Sequence, residues 1–171
     1  MSMISFYVPI LQQKNSYRVS GREVSDDAVL RWGYGTEYSL DGGHVIYSGQ
    51  WEDGLRHGFG TEYQDTPRVY YKGQWKAGQH HGKGRDVLDG EANYYEGHFV
   101  NGLRDGNGTL QLHDNYTYEG GWSKDEMHGF GKLKMGSGVH YEGYFDNNQF
   151  HGQVGFLTAS SIIAVLEKCK I

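Results

Sequence analysis

Tyr47-Ser-Gly-Gln-Trp51, followed by His57-Gly-Phe-Gly60, is the stretch that decides the fold of this chain. Its first half, the ring motif, places a glycine between two aromatic residues. It recurs four more times, with starting tyrosines 24, 24, 23 and 23 residues apart. The copies are Tyr47–Trp51, Tyr71–Trp75, Tyr95–Phe99, Tyr118–Trp122 and Tyr141–Phe145. A fixed period of this length indicates tandem copies of one small structural unit.

A glycine motif follows each ring motif at a constant offset. Its copies are His57–Gly60, His81–Gly84, Asp105–Gly108, His128–Gly131 and His151–Val154, the last without its final glycine. The turns predicted between the two motifs are Asp53-Gly54, Ala77-Gly78, Asn101-Gly102, Asp125-Glu126 and Asn147-Asn148. Asp-Gly and Asn-Gly favour two-residue hairpin turns because both residues adopt positive φ readily. Each unit is therefore predicted to be a β-hairpin.

The rings and glycines of a hairpin are predicted to share one face, because alternate residues of a strand point the same way. With a two-residue turn, Gly49 would pair with Gly58 and Tyr47 with Gly60. A bulge would shift this pairing by one residue. In either register the glycines leave space in which large rings lie flat on the sheet.

The predicted fold class is all-β: an elongated, twisted antiparallel sheet of tandem β-hairpins with a short C-terminal helix. Residues 1–46 are predicted to form an N-terminal cap with a degenerate repeat, 47–155 five hairpin repeats, and 156–171 an amphipathic helix. The apolar residues at helical spacing in the last segment are Ile162, Val165, Leu166 and Cys169. This helix would cover the last hairpin or bind another chain, and would then set the oligomeric state.

Composition and charge restrict the functional classes. Glycine supplies 27 of 171 residues and aromatics 15 %, a profile of tight turns and packed rings rather than of disorder. The net charge of −5 predicts no nucleic-acid partner, and the loose cluster of Lys72, Lys76, Lys83 and Arg85 is interpreted as a solvated face. Because Cys169 is the single cysteine, no intrachain disulfide is possible and a reducing, cytoplasmic location is expected.

The residues predict neither an enzyme nor a cofactor or metal site. Equivalent histidines of neighbouring hairpins lie two strands apart, ~9–10 Å, whereas two imidazoles on one zinc need nitrogens within roughly 4 Å. The stretch Gly78–Gly84 lacks the spacing of a phosphate-binding loop, and no Ser or Thr follows Lys83. A structural role is therefore favoured for the repeated histidines and glycines.

The repeated Tyr-x-Gly-x-Trp and Gly-x-x-His-Gly-x-Gly patterns resemble the MORN repeat (membrane occupation and recognition nexus), over residues 47 to about 155. The resemblance implies an elongated antiparallel sheet, no catalytic motif, and a role in scaffolding, membrane attachment or cytoskeletal organisation. It also implies association with cilia, flagella or the cell cortex. Members dimerise, or bind a partner peptide along the aromatic groove.

The leading hypothesis is a non-enzymatic scaffold that binds a partner protein, as a helical or extended peptide, along a groove of repeated rings. Tyr and Trp are frequent anchors of interfaces. The candidate partner-binding residues are Tyr47, Trp51, Tyr71, Trp75, Tyr95, Phe99, Tyr118, Trp122, Tyr141 and Phe145. The competing interpretation is that these rings form only the core; we expect them to do both, with their outer layer available to a partner. A homodimer and attachment to an anionic membrane are the other predictions, the latter with only Lys168 and Lys170 on the helix to meet phosphates.

Overall fold

The computed structural model describes residues 18–19, 22–23, 32–39, 43–65, 68–90, 92–113, 115–136 and 138–151. β1 (Arg18–Val19) and β2 (Arg22–Glu23) form a two-stranded antiparallel sheet. The remaining strands, β3 to β13, form one open sheet of 11 strands in sequence order. They are β3 (Trp32–Tyr38), β4 (Val45–Glu52), β5 (Leu55–Asp65), β6 (Arg68–Lys76), β7 (Gln79–Asp89), β8 (Asn93–Val100), β9 (Leu103–Leu112), β10 (Tyr116–Ser123), β11 (Glu126–Lys134), β12 (His140–Asp146) and β13 (Gln149–His151).

The all-β, antiparallel fold class is confirmed, and the residues that the structure describes contain no helix. The predicted helix over 156–171, with Ile162, Val165, Leu166 and Cys169, lies outside the described residues. The chain comprises two compact units, Met1–Gly84 and Arg85–Ile171. The division into a cap, five repeats and a helical segment stays a prediction.

Two-residue turns connect the strands of each hairpin, as predicted. Asp53 and Gly54 have φ values of 50° and 76°, which fit a type I′ turn. The prediction of the fourth turn at Asp125-Glu126 is wrong. It is formed by Lys124 and Asp125, with φ values of 50° and 70°, and β11 begins at Glu126. The turn thus keeps its constant distance from the preceding tryptophan, although a lysine then adopts a left-handed conformation.

The predicted pairing of Gly49 with Gly58 is wrong, because Gly49 lies opposite Gly60 and Tyr47 opposite Glu62. A register shift between Gly49 and Trp51 moves the pairing by two residues. A shift of two residues preserves the face on which every side chain lies, so the ring–glycine alternation survives. Equivalent shifts occur between Gly97 and Phe99 and between Gly120 and Trp122.

A glutamine side chain holds the register shift in the first hairpin. Gly58 adopts φ 60° inside the bulge, where a side chain would be strained and would also strike Gln50. The Oε1 atom of Gln50 accepts a hydrogen bond of 2.6 Å from the Phe59 amide. The side chain therefore takes the place of a backbone acceptor at the point where the strand pairing is interrupted.

Candidate functional site

The ten candidate residues lie on one face of the sheet in each unit, termed here the ring face; the other side is the back face. Each of the ten side chains is at most 5 % exposed, so the rings are the core of the hairpins. They are Tyr47, Trp51, Tyr71, Trp75, Tyr95, Phe99, Tyr118, Trp122, Tyr141 and Phe145. Their role in binding a partner stays a prediction, and most of their surface is engaged within the chain.

The tyrosine of each ring motif lies on a floor of bare backbone. A Cβ atom added to Gly49 or Gly60 would overlap the hydroxyl end of Tyr47. That hydroxyl donates a hydrogen bond of 2.9 Å to the carbonyl of Gln50, three residues further along the chain. The same bond recurs in the other repeats, between Tyr71 and Gln74, Tyr95 and His98, Tyr118 and Gly121, and Tyr141 and Tyr144.

Within each unit, the second ring of one motif also packs on the tyrosine of the preceding hairpin. Tyr47 packs edge to face against Trp51 of its own hairpin at 5.2 Å between centroids, and against Trp75 of the next at 5.1 Å. The Nε1 group of Trp75 donates to the carbonyl of Gly60 at 3.3 Å. In the second unit, Trp122 likewise packs against Tyr95 at 5.1 Å. A tyrosine core is thus completed by the hairpin that follows it.

A second set of side chains, the cover residues, was not predicted; in four of the five repeats it packs on the tyrosine of the ring motif. The cover residues stand five positions after the second ring of each motif, and are Arg56, His80, Arg104, Met127 and Phe150. The guanidinium of Arg56 lies 4.8 Å from the centre of the Tyr47 ring, and His80 stacks on Tyr71 at 3.6 Å. Their constant offset was the one signal in the sequence, because the residue types share no chemistry.

Ion pairs fix the cover residues of the first unit. Arg56 bonds to Glu37 at 2.9 Å and to Glu62 at 2.6 Å, and His80 Nε2 lies 3.1 Å from Glu62. Burial raises the pKa of Glu62, but its hydrogen bonds with His80 and Arg56 outweigh that effect and hold the pKa below its usual range. The ring face of this unit therefore carries fixed charges of both signs beside buried rings.

Turn residues of the second unit fix its cover residues in a related way. The Oδ1 atom of Asp125 accepts bonds from the Arg104 amide at 2.9 Å and its Nε group at 3.0 Å. Asn148 Oδ1 similarly accepts a bond of 2.8 Å from the amide of Met127. Where glycine is replaced at the second turn position, the new side chain bonds to the preceding hairpin.

Burial of the tyrosines predicts cooperative alkaline unfolding. It raises the pKa of Tyr95 to about 12 and also raises the pKa values of Tyr47, Tyr118 and Tyr141, against ~10 in an unfolded chain. The folded state holds these protons more tightly, so their contribution to stability is complete below about pH 10 and is lost as pH rises towards 12. We expect these four tyrosines to ionise only as circular dichroism reports unfolding. Tyrosinate absorbance that rises fully before the dichroism changes would contradict this.

The described part of the chain offers little else that suggests chemistry. No group of three or more His, Cys, Asp or Glu residues within it is placed to hold a metal ion. Two of the repeated histidines instead approach carboxylates: His57 lies 3.1 Å from Glu52, and His128 lies 3.3 Å from Asp146. Among the described residues, no helix is long and apolar enough to cross a membrane.

Comparison with known proteins agrees with the repeated geometry. The family model of the MORN repeat matches residues 47–65, 71–85, 95–115, 118–139 and 141–153, more than half of the chain. No curated protein matches the chain. MORN repeats are non-enzymatic modules that generally bind proteins or membranes. The five matched stretches coincide with the five ring motifs and their glycine motifs, and the chain belongs to the MORN repeat family.

Proposed function

We propose that the chain is a non-enzymatic scaffold that binds a partner protein along the ring face, within a cytoskeletal, ciliary or flagellar assembly. The observation that carries the proposal is the layer of cover residues over the rings. Arg104 lies 4.7 Å from the Trp122 ring and bonds to Asp125, so its guanidinium is held in place before any partner arrives. Preorganised arginine beside aromatic rings is typical of the residues that dominate interface energies.

A partner on the ring face would meet the cover residues first and the rims of the rings second. In the first unit it would meet Arg56 and His80 with Glu37 and Glu62 beside them. This arrangement suits a helical or extended peptide with polar groups that pair with both signs of charge. The cytoskeletal and ciliary setting rests on family resemblance, and it is a proposal on that ground.

Substitution of Arg104 by methionine tests the proposal while keeping the fold, because Met127 is the cover residue of the next repeat. The partner is first isolated on immobilised full-length chain from a ciliated cell extract, identified by mass spectrometry and produced in pure form. We expect Arg104→Met to weaken its binding about tenfold or more, as loss of a central anchor does.

The matched control is Lys132→Met, because Lys132 lies on the back face of the same unit and is exposed. It should bind the partner as the unsubstituted chain does. Urea denaturation of both variants establishes that they are folded. If a folded Arg104→Met variant binds as tightly as the control, the ring face is not the site of partner binding.

A further inference from the structure

The back face of the first unit carries a row of exposed rings and amides that the proposed function does not use. Tyr34 lies opposite Gln50 across β3 and β4, and Phe59 lies opposite Gln74 across β5 and β6. Both rings are 60 % exposed. Gln50 Oε1 accepts the hydrogen bond of the Phe59 amide, so the NH₂ group of Gln50 is the part of its side chain that can donate to a partner. This row, Tyr34–Gln50–Phe59–Gln74, forms the uncharged half of the candidate surface.

Three lysines surround the end of this row. Lys72 and Lys76 stand two residues on either side of Gln74 in β6, ~6.6 Å away along the strand, and on the same face. The amide of Lys83 donates to Gln74 Oε1 at 2.7 Å, which places Lys83 beside the same glutamine. All three lysines are exposed. Together they form a cluster of positive charge next to Phe59, in a chain whose net charge is −5.

The lysine cluster is not neutralised by the described residues around it. None of the three lysines forms an ion pair with a described residue. Glu52, which lies on the same face, is bonded to His57 at 3.1 Å. In the second unit, by contrast, Lys132 is paired with Glu142 at 3.2 Å. As far as the described residues go, the first unit therefore presents unpaired positive charge beside rings.

Hydroxyl groups extend the surface along a neighbouring row. Thr36 lies opposite Ser48, Ser48 opposite Thr61, and Thr61 opposite Lys72. The hydroxyls of Thr36 and Ser48 lie 3.3 Å apart. Side chains of this kind both donate and accept hydrogen bonds, so the row suits a polypeptide backbone laid across the strands.

We propose that this surface is a second binding site, for an extended acidic peptide that also carries aromatic side chains. Its carboxylates would pair with Lys72, Lys76 and Lys83, and its rings would pack on Phe59 and Tyr34. Charge complementarity selects an acidic partner. Three strand spacings, ~14 Å, separate Gln74 from Tyr34, so about four extended residues would span the site. The site goes beyond the proposed function because it lies on the opposite side of the sheet.

The test measures fluorescence anisotropy of a labelled synthetic peptide, in which a run of glutamates precedes a phenylalanine-containing segment, with the full chain. The charge-reversal variant combines Lys72→Glu, Lys76→Glu and Lys83→Glu. It should weaken binding about tenfold or more, and Phe59→Ser should do so as well. The matched control combines Lys124→Glu, Lys132→Glu and Lys134→Glu in the second unit, which changes the net charge equally, and should change affinity less than about twofold.

Three results would overturn the proposal. The first is equal weakening by the two charge-reversal variants, which would show a general charge effect. The second is equal binding of a peptide with lysines in place of the glutamates. The third is tighter, Lys72-dependent binding of oligothymidylate or of phosphatidylserine vesicles, which would assign the surface to nucleic acid or to membrane. Circular dichroism of each variant confirms that it is folded before binding is measured.

Discussion

Replacing Gly108 with alanine is expected to destabilise the second unit by ~3 kcal/mol or more. A Cβ atom at this position would overlap the hydroxyl, Cζ and Cε2 atoms of Tyr95. The ring has no room to yield, because it is fully buried and packs edge to face against Phe99 and Trp122, each at 5.1 Å. Its hydroxyl is also bonded to the carbonyl of His98 at 3.0 Å. Urea denaturation followed by circular dichroism measures the loss.

The neighbouring residue supplies the control for Gly108→Ala. Asn107 is exposed on the back face, so Asn107→Ala should change the free energy of unfolding by only about 0.5 kcal/mol. A double-mutant cycle with Tyr95→Ala then isolates the proposed collision. Once the ring is absent, adding Gly108→Ala should cost far less than it does alone. Additive costs in this cycle would show that Gly108 is required for another reason.

Truncation of Trp122 to alanine is expected to cost ~3–5 kcal/mol, the range for a large buried aromatic side chain. Trp122 is 5 % exposed and packs edge to face against Tyr118 at 5.3 Å and Tyr95 at 5.1 Å. Its Nε1 group donates to the carbonyl of Gly108 at 3.2 Å. The substitution therefore opens a cavity in two hairpins at once, and the thermal midpoint should fall sharply.

Two aromatic substitutions separate ring packing from other effects. Trp122→Phe keeps a ring where Phe99 and Phe145 serve in other repeats, and should cost no more than ~1.5 kcal/mol. Phe130→Ala removes an aromatic ring that is 51 % exposed on the back face, and should cost about 1 kcal/mol or less. A Trp122→Ala variant that stays as stable as these two would mean that the ring does not belong to the core.

The hairpins and the ring face were predictable because they depend on local chemistry. Alternation of rings and glycine fixes which side chains share a face, and residues such as Asp53 and Gly54 tolerate the backbone of a tight turn. The same preference made the prediction of the fourth turn wrong. Because Asp125 is a residue type that favours turns, the turn was predicted at Asp125-Glu126, one residue too late. The constant distance from Trp122 was the better guide, because it reflects the whole hairpin.

The register and the cover residues were not predictable from residue types. The shift of two residues depends on the bond between the Gln50 side chain and the Phe59 amide, which only the folded strands bring together. The cover position holds Arg56 in one repeat and Met127 in another, so no shared chemistry identifies it. The burial of a ring likewise depends on the next hairpin. Tyr47, for example, is packed against Trp75 of the hairpin that follows it.

The packing of one hairpin's second ring on the tyrosine of the preceding hairpin has a consequence for how such a chain changes in evolution. Within each unit, Tyr47 meets Trp75 and Tyr118 meets Phe145 through nearly the same contact, 5.1 and 4.9 Å between centroids. A duplicated or deleted segment of 23 or 24 residues would therefore join its new neighbours through an interface that already exists. Gene duplication can thus lengthen the array without a new interface having to evolve.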